Sequence, residues 1–158
     1  MPREFNGQSV AVNGQFAIVV SRYNESITGK LLEGAISTLH RAQIDDELID
    51  VMWVPGAWEI PLIAHQAATS GRYLAVLCLG AVIRGETSHD QHINRQVSLS
   101  LGQSSIATGI PISFGVITCN SLEQAIHRAG GNVGNKGEEC ALAALEMAGL
   151  QKQIGEKR

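Results

Sequence analysis

Short, partly β-branched apolar runs alternate with stripes of helical period along this chain, and few folds accommodate that alternation. Phe16-Ala17-Ile18-Val19-Val20-Ser21 is almost wholly apolar, as expected of a strand covered on both faces. Ile27, Leu31, Leu32, Ala35, Ile36 and Leu39 then recur at three-to-four spacing, the stripe of an amphipathic helix. Residues 48–54 read as a second strand, closed by Pro55-Gly56. Helical spacing returns over residues 59–69, with Pro61 in the first turn, where a missing N–H is tolerated. Residues 73–80 read as a third, central strand. A helix over 89–108, a strand over 112–118 and helices over 121–129 and 136–148 complete the order, the last two parted by Gly130-Gly131. The pattern β-α-β-α-β-α-β-α with short joints predicts a three-layer α/β/α sandwich around a four-stranded parallel sheet. A single domain is expected over residues 1–158, with residues 1–12 and 153–158 as loosely held ends. Residues 10–12 are also suited to an edge strand, on this chain or on a neighbouring copy.

Composition narrows the partners. A chain of 158 residues has room for one domain with a proper core, and 44% hydrophobic residues exclude disorder. With 12 Lys+Arg against 15 Asp+Glu and no basic stripe, no nucleic-acid partner is expected. Charged residues make up only 17%, against roughly 25% in ordinary soluble domains. So little charge on a small protein points to surface buried against other subunits. Cys78, Cys119 and Cys140 are odd in number and widely spaced, which fits neither a disulfide framework nor a zinc knuckle. Residues 1–12 lack the apolar segment of a signal peptide, and the nearly apolar run over 73–83 is too short to span a bilayer. A cytoplasmic, reduced protein without a membrane partner is expected.

In open parallel α/β sheets, ligands bind outside the carboxyl ends of the strands. That rule selects Ser21-Arg22-Tyr23-Asn24, Pro55-Gly56-Ala57-Trp58-Glu59, residues 81–89 and residues 118–121, where the unusual residues of this chain concentrate. Ser88 with Gln91 three residues on fits a capping box, making His89 the first helical residue. Free N–H groups and the positive dipole end there would seat an anion such as phosphate. The same field favours a neutral imidazole at His89, able to take a proton. The residues alone leave open a solvent-exposed His89 without a role. Arg128 has either of two uses, as a phosphate fork or as a cation at a helix C-terminus ahead of Gly130. Tyr23, Trp58 and Phe114 either stack on a flat heterocycle or pack the core. His89, Asp90 and His92 lack the third ligand cluster that catalytic zinc requires, so no metal is expected. The glycine-rich run over 130–137 lacks the G-K-[ST] ending of a P-loop and follows a helix rather than a strand.

Taken together, five segments resemble the 6,7-dimethyl-8-ribityllumazine synthase family. They are Ser21-Arg22-Tyr23-Asn24-Glu25, Val54-Pro55-Gly56-Ala57-Trp58-Glu59-Ile60-Pro61, Gly80-Ala81-Val82-Ile83-Arg84-Gly85-Glu86-Thr87 with His89, Phe114-Gly115-Val116, and Gln124-Ala125 through Arg128-Ala129-Gly130 to Gly134-Asn135-Lys136-Gly137. The resemblance runs in order from about residue 16 to residue 147. It implies a flavodoxin-like subunit and the condensation of 5-amino-6-(D-ribitylamino)uracil with 3,4-dihydroxy-2-butanone 4-phosphate, without metal or cofactor, in the penultimate step of riboflavin biosynthesis. By the family pattern Tyr23 stacks on the pyrimidine, Ala57, Trp58 and Glu59 hold the ribityl chain, and Ala81, Val82 and Ile83 bind the uracil through backbone groups. Glu86, Thr87 and Arg128 seat the phosphate, His89 transfers the proton, and Phe114 closes the pocket from a neighbouring subunit. The resemblance also implies pentamers, in some members twelve of them closed into a sixty-subunit icosahedral shell, with riboflavin synthase as a candidate partner. The departures are Tyr23 and Trp58 in place of phenylalanine, and a polar stretch, Asp90-Gln91-His92-Ile93-Asn94-Arg95, where the family is commonly aromatic-rich. A flavin- or lumazine-binding module without activity would be expected to lose His89 or Arg128, and both are present. A monomeric flavodoxin-like regulator would carry charge nearer the average.

Overall fold

The computed structural model describes residues 1–156. Strands β1 (Gln15–Ser21), β2 (Ile49–Val54), β3 (Tyr73–Ile83) and β4 (Ile112–Cys119) form one parallel sheet in the order β2-β1-β3-β4. Helices α1 (Glu25–Arg41), α2 (Ile60–Thr69), α3 (His89–Thr108), α4 (Leu122–Arg128) and α5 (Lys136–Gly155) connect and cover the strands. Because strand side chains alternate between faces, Phe16, Ile18, Val20, Leu77 and Leu79 pack under α1, α4 and α5. Ala17, Val19, Val76 and Cys78 pack under α2 and α3. Burial on both faces explains why β1 and β3 read as continuous apolar runs while β2 and β4, at the edges, do not. The result is a three-layer, flavodoxin-like sandwich.

Two glycines set how closely the covering elements approach. A Cβ on Gly137 would overlap the carbonyl oxygen of Leu31, so only glycine lets the start of α5 lie against α1. A Cβ on Gly7 would overlap the carbonyl oxygen of Glu146, and the turn Gly7–Ser9 lies against α5 by the same means.

Several boundaries differ from the sequence reading. Residues 10–12 form no strand on this chain; Val12 packs on the core and Ala11 accepts a hydrogen bond from Lys152 Nζ at 3.2 Å. Helix α5 continues past residue 148 to Gly155 because its last turns pack on that amino-terminal segment. Residues 153–155 are therefore helical, while 157 and 158 lie outside the described residues. Strand β3 continues to Ile83 because β4 keeps pairing with it, Ile83 opposite Cys119. The glycine-rich joint after α4 is a small antiparallel hairpin, β5 (Ala129–Gly131) with β6 (Gly134–Asn135), which period-based reading cannot detect in so short a segment.

Candidate active site

From β1 the chain steps to β2 on one side and then to β3 on the other, so the strand order reverses between β1 and β3. A cleft of about 590 Å³ opens there, at the carboxyl ends of the strands. It is lined by Tyr23, Trp58, Thr87 and His89, by Ala57 and Glu59, and by Ala81, Val82 and Ile83.

Backbone continuity holds the rims. Past the end of β1, Arg22 N–H donates to Val54 O at 2.8 Å and Tyr23 N–H to Pro55 O at 2.9 Å. Asn24 then adopts a left-handed conformation, φ 62°, which asparagine tolerates better than most residues. Its Nδ2 donates to Ala81 O at 3.0 Å, tying the exit of β1 to β3. Pairing of β3 with β1 stops at Leu79, whereas pairing with β4 runs to Ile83. The β1-facing backbone edge beyond Leu79 thus runs free into the cleft, apart from the Ala81 carbonyl. Opposite it, Gly56 begins the turn Ala57–Glu59, and Glu59 Oε2 accepts the Gly56 N–H at 2.9 Å. That contact fixes the Glu59 carboxylate, with Trp58 left 54% exposed beside it.

The third rim is the start of α3. Ser88 is the residue before the helix, but the expected capping box does not form. Its backbone is at φ −80°, ψ 10° rather than extended, and its side chain makes no capping bond. The His89 N–H instead donates to Thr87 Oγ1 at 3.3 Å, and the Gln91 N–H to Ser88 O at 3.0 Å. Two of the first amides are therefore already occupied, which leaves a smaller anion seat than the motif implied. His89 is exposed on the rim.

Not every expected residue joins this cleft. Glu86 is exposed and does not line it. Phe114, 46% exposed on the edge strand β4, and Arg128 also lie outside it. Arg128 ends α4 and lines a second cleft of about 370 Å³ at the carboxyl end of β4, with Thr118, Cys119, Gln124 and Lys136. The Cys119 thiol is pushed up by burial and pulled partly back by the Arg128 guanidinium facing it. Among the described residues, no Lys or Arg lines the first cleft. One subunit thus brings the His89 imidazole and planar walls together in one place, and the Arg128 guanidinium in another.

Three residues escaped the sequence reading as site residues. Asn24 could have been found as an asparagine between strand and helix, where a left-handed turn is common. Asp90 lies on the inward stripe of α3, whose spacing is legible from Val97 and Leu101 back towards the cleft. Lys136, a cation at a helix start against the dipole preference, lines the second cleft. Among the described residues no three His, Cys, Asp or Glu side chains gather as a metal ion would need.

A protein-family profile described as 6,7-dimethyl-8-ribityllumazine synthase matches residues 13–152, spanning all four strands of the main sheet and both clefts. The chain belongs to the 6,7-dimethyl-8-ribityllumazine synthase family. It is an enzyme, a transferase of riboflavin biosynthesis. Membership implies small-molecule substrates and an oligomeric assembly. Among the described residues, no helix is long and apolar enough to cross a membrane.

Proposed function

We propose that the protein condenses 5-amino-6-(D-ribitylamino)uracil with 3,4-dihydroxy-2-butanone 4-phosphate to 6,7-dimethyl-8-ribityllumazine, inorganic phosphate and water. The observation that carries this reading is the cleft at the β1/β3 reversal, where an imidazole, two aromatic side chains and a free strand edge face one space. Each feature has a use in the reaction. Tyr23 stacks on the flat pyrimidine, and the backbone of residues 81–83 reads its polar edge. Ala57, Trp58 and Glu59 flank the ribityl chain. The pyrimidine amine adds to the ketone, and water leaves to give an imine. His89 takes and returns the proton as phosphate is eliminated. Loss of phosphate leaves an enol that tautomerises to a ketone, and the ribityl-bearing nitrogen closes the ring on that new carbonyl with loss of a second water. With no strong nucleophile in the cleft, orientation of two bound reactants supplies much of the rate.

A doubly charged phosphate next to Thr87 needs a cation, and among the described residues the His89 cleft holds no Lys or Arg. The reading therefore assigns that role to Arg128, with Glu86 beside it, and the aromatic lid to Phe114, both brought by an adjacent subunit. Exposure of Phe114, Trp58 and Leu62 on one chain fits such a contact. The same reading takes the assembly to be a pentamer or a sixty-subunit shell of pentamers, located in the cytoplasm, with riboflavin synthase as the enzyme that consumes the product. Three free, buried cysteines suit a reducing compartment. The test is direct: purified protein with both substrates should yield a fluorescent lumazine and phosphate together. Phosphate release no faster than in the spontaneous reaction would contradict it.

A further inference from the structure

The face that α3 turns towards the sheet and α2 carries Asp90, Ile93, Asn94, Val97, Leu101 and Ser104 in one helical stripe. Val97, Leu101 and Ser104 are buried, and Ile93 packs on the same core. The stripe turns polar at the end of α3 that faces the cleft. There Oδ1 of Asp90 and Oδ1 of Asn94 are shielded from solvent and accept no hydrogen bond from any described residue. Shielded acceptors without a partner are rare in folded proteins, and each calls for a donor. Asp90 lines the cleft, whereas Asn94 lies one turn deeper. The helix dipole accounts for an acid in the first turn. It does not account for an acid whose oxygen is turned away from solvent and from every donor.

We propose that Asp90 is a positioning residue for the polyol-bearing pyrimidine, its Oδ1 accepting a hydrogen bond from a ribityl hydroxyl; this rests on the substrates assigned above. An ionised carboxylate only accepts, so its complement must bring O–H or N–H groups. It offers no donor to the phosphate of the other reactant, whose cation in this reading is Arg128 of an adjacent subunit. Helix α3 packs against the turn Ala57–Glu59, which flanks the ribityl chain in the proposed pose. Glu59 Oε2 already has a donor in the Gly56 N–H, so of the two carboxylates lining the cleft it is Asp90 that has an oxygen in want of one.

Calorimetric titration of the assembled protein tests this, with wild type, Asp90→Ala and Asp90→Asn as receptors. The probes are 5-amino-6-(D-ribitylamino)uracil and its 6-methylamino counterpart, which lacks the polyol. Asp90→Ala should weaken the ribityl ligand about tenfold or more and leave the methylamino ligand within about twofold. Asp90→Asn, which keeps an acceptor oxygen, should recover most of that loss. Assembled mass and melting midpoint are read alongside. Equal weakening of both ligands, or unchanged binding with an altered mass or midpoint, assigns Asp90 to folding or to a subunit contact and overturns the proposal. Wild-type protein that binds neither pyrimidine refutes the substrate reading beneath it.

Discussion

Burial of the Cys140 thiol pushes its pKa up to about 12, although the Cys78 backbone, the Ser113 hydroxyl and the Lys136 charge pull it partly back. An unfolded thiol gives up its proton near 9, so between pH 9 and about 12 the unfolded chain releases a proton that the native chain retains. The stability this contributes is present in full below pH 9 and is lost as pH rises, by up to about 1.4 kcal/mol per unit. Urea denaturation of Cys140→Ala between pH 9 and 11 should therefore show a flatter fall of stability with pH than wild type. Parallel profiles would contradict the assignment. Cys78 is shifted the same way by burial, so part of the slope should remain. The thiols also show what was legible residue by residue. Their scatter through the sequence excluded a disulfide framework, and all three are free and buried. That Tyr23, Trp58 and His89 share one cleft was legible because all three follow strand exits. The places of Asn24 and Asp90 were not, because they depend on contacts with β3 and on the interior face of α3 that no local spacing states.

At the scale of elements, apolar period located every strand of the main sheet and every helix, since burial on two faces or one stripe leaves a direct imprint. Ends were less legible because neighbours decide them. β4 prolongs β3, and the amino-terminal segment prolongs α5. The contact between α1 and α5 is the element-level feature most exposed to a single change. Gly137 → Ala places a Cβ onto the Leu31 carbonyl oxygen, a backbone atom that cannot rotate aside. A loss of about 2–4 kcal/mol is expected, the scale of an overpacked core, read as a lower melting midpoint. Gly155→Ala, where a Cβ meets nothing, should leave the midpoint within about a degree. Equal effects at both positions would mean that the close approach does not hold α1 to α5.

The whole molecule returns to the scarcity of charge. A folded monomer of 16.9 kDa is expected to expose about 7,700 Å². This chain exposes 9097 Å², with Leu99 and Ile106 outward on α3 and Phe114 and Leu142 outward on other elements. Surface of that kind fits burial against other copies, in keeping with the oligomeric assembly that the family implies. The placement of the candidate residues points the same way, with no Lys or Arg among the described residues lining the His89 cleft, and Arg128 and Lys136 lining another. An active site built across two subunits joins the two observations. The most direct measurement mixes two defective proteins, His89→Ala and Arg128→Ala, unfolds them together, refolds them and assays lumazine formation. Random assembly gives intact sites wherever a wild-type His89 meets a neighbour's wild-type Arg128, and activity should return to about a quarter of the wild-type rate. A mixture no more active than the sum of its two components would contradict a shared site.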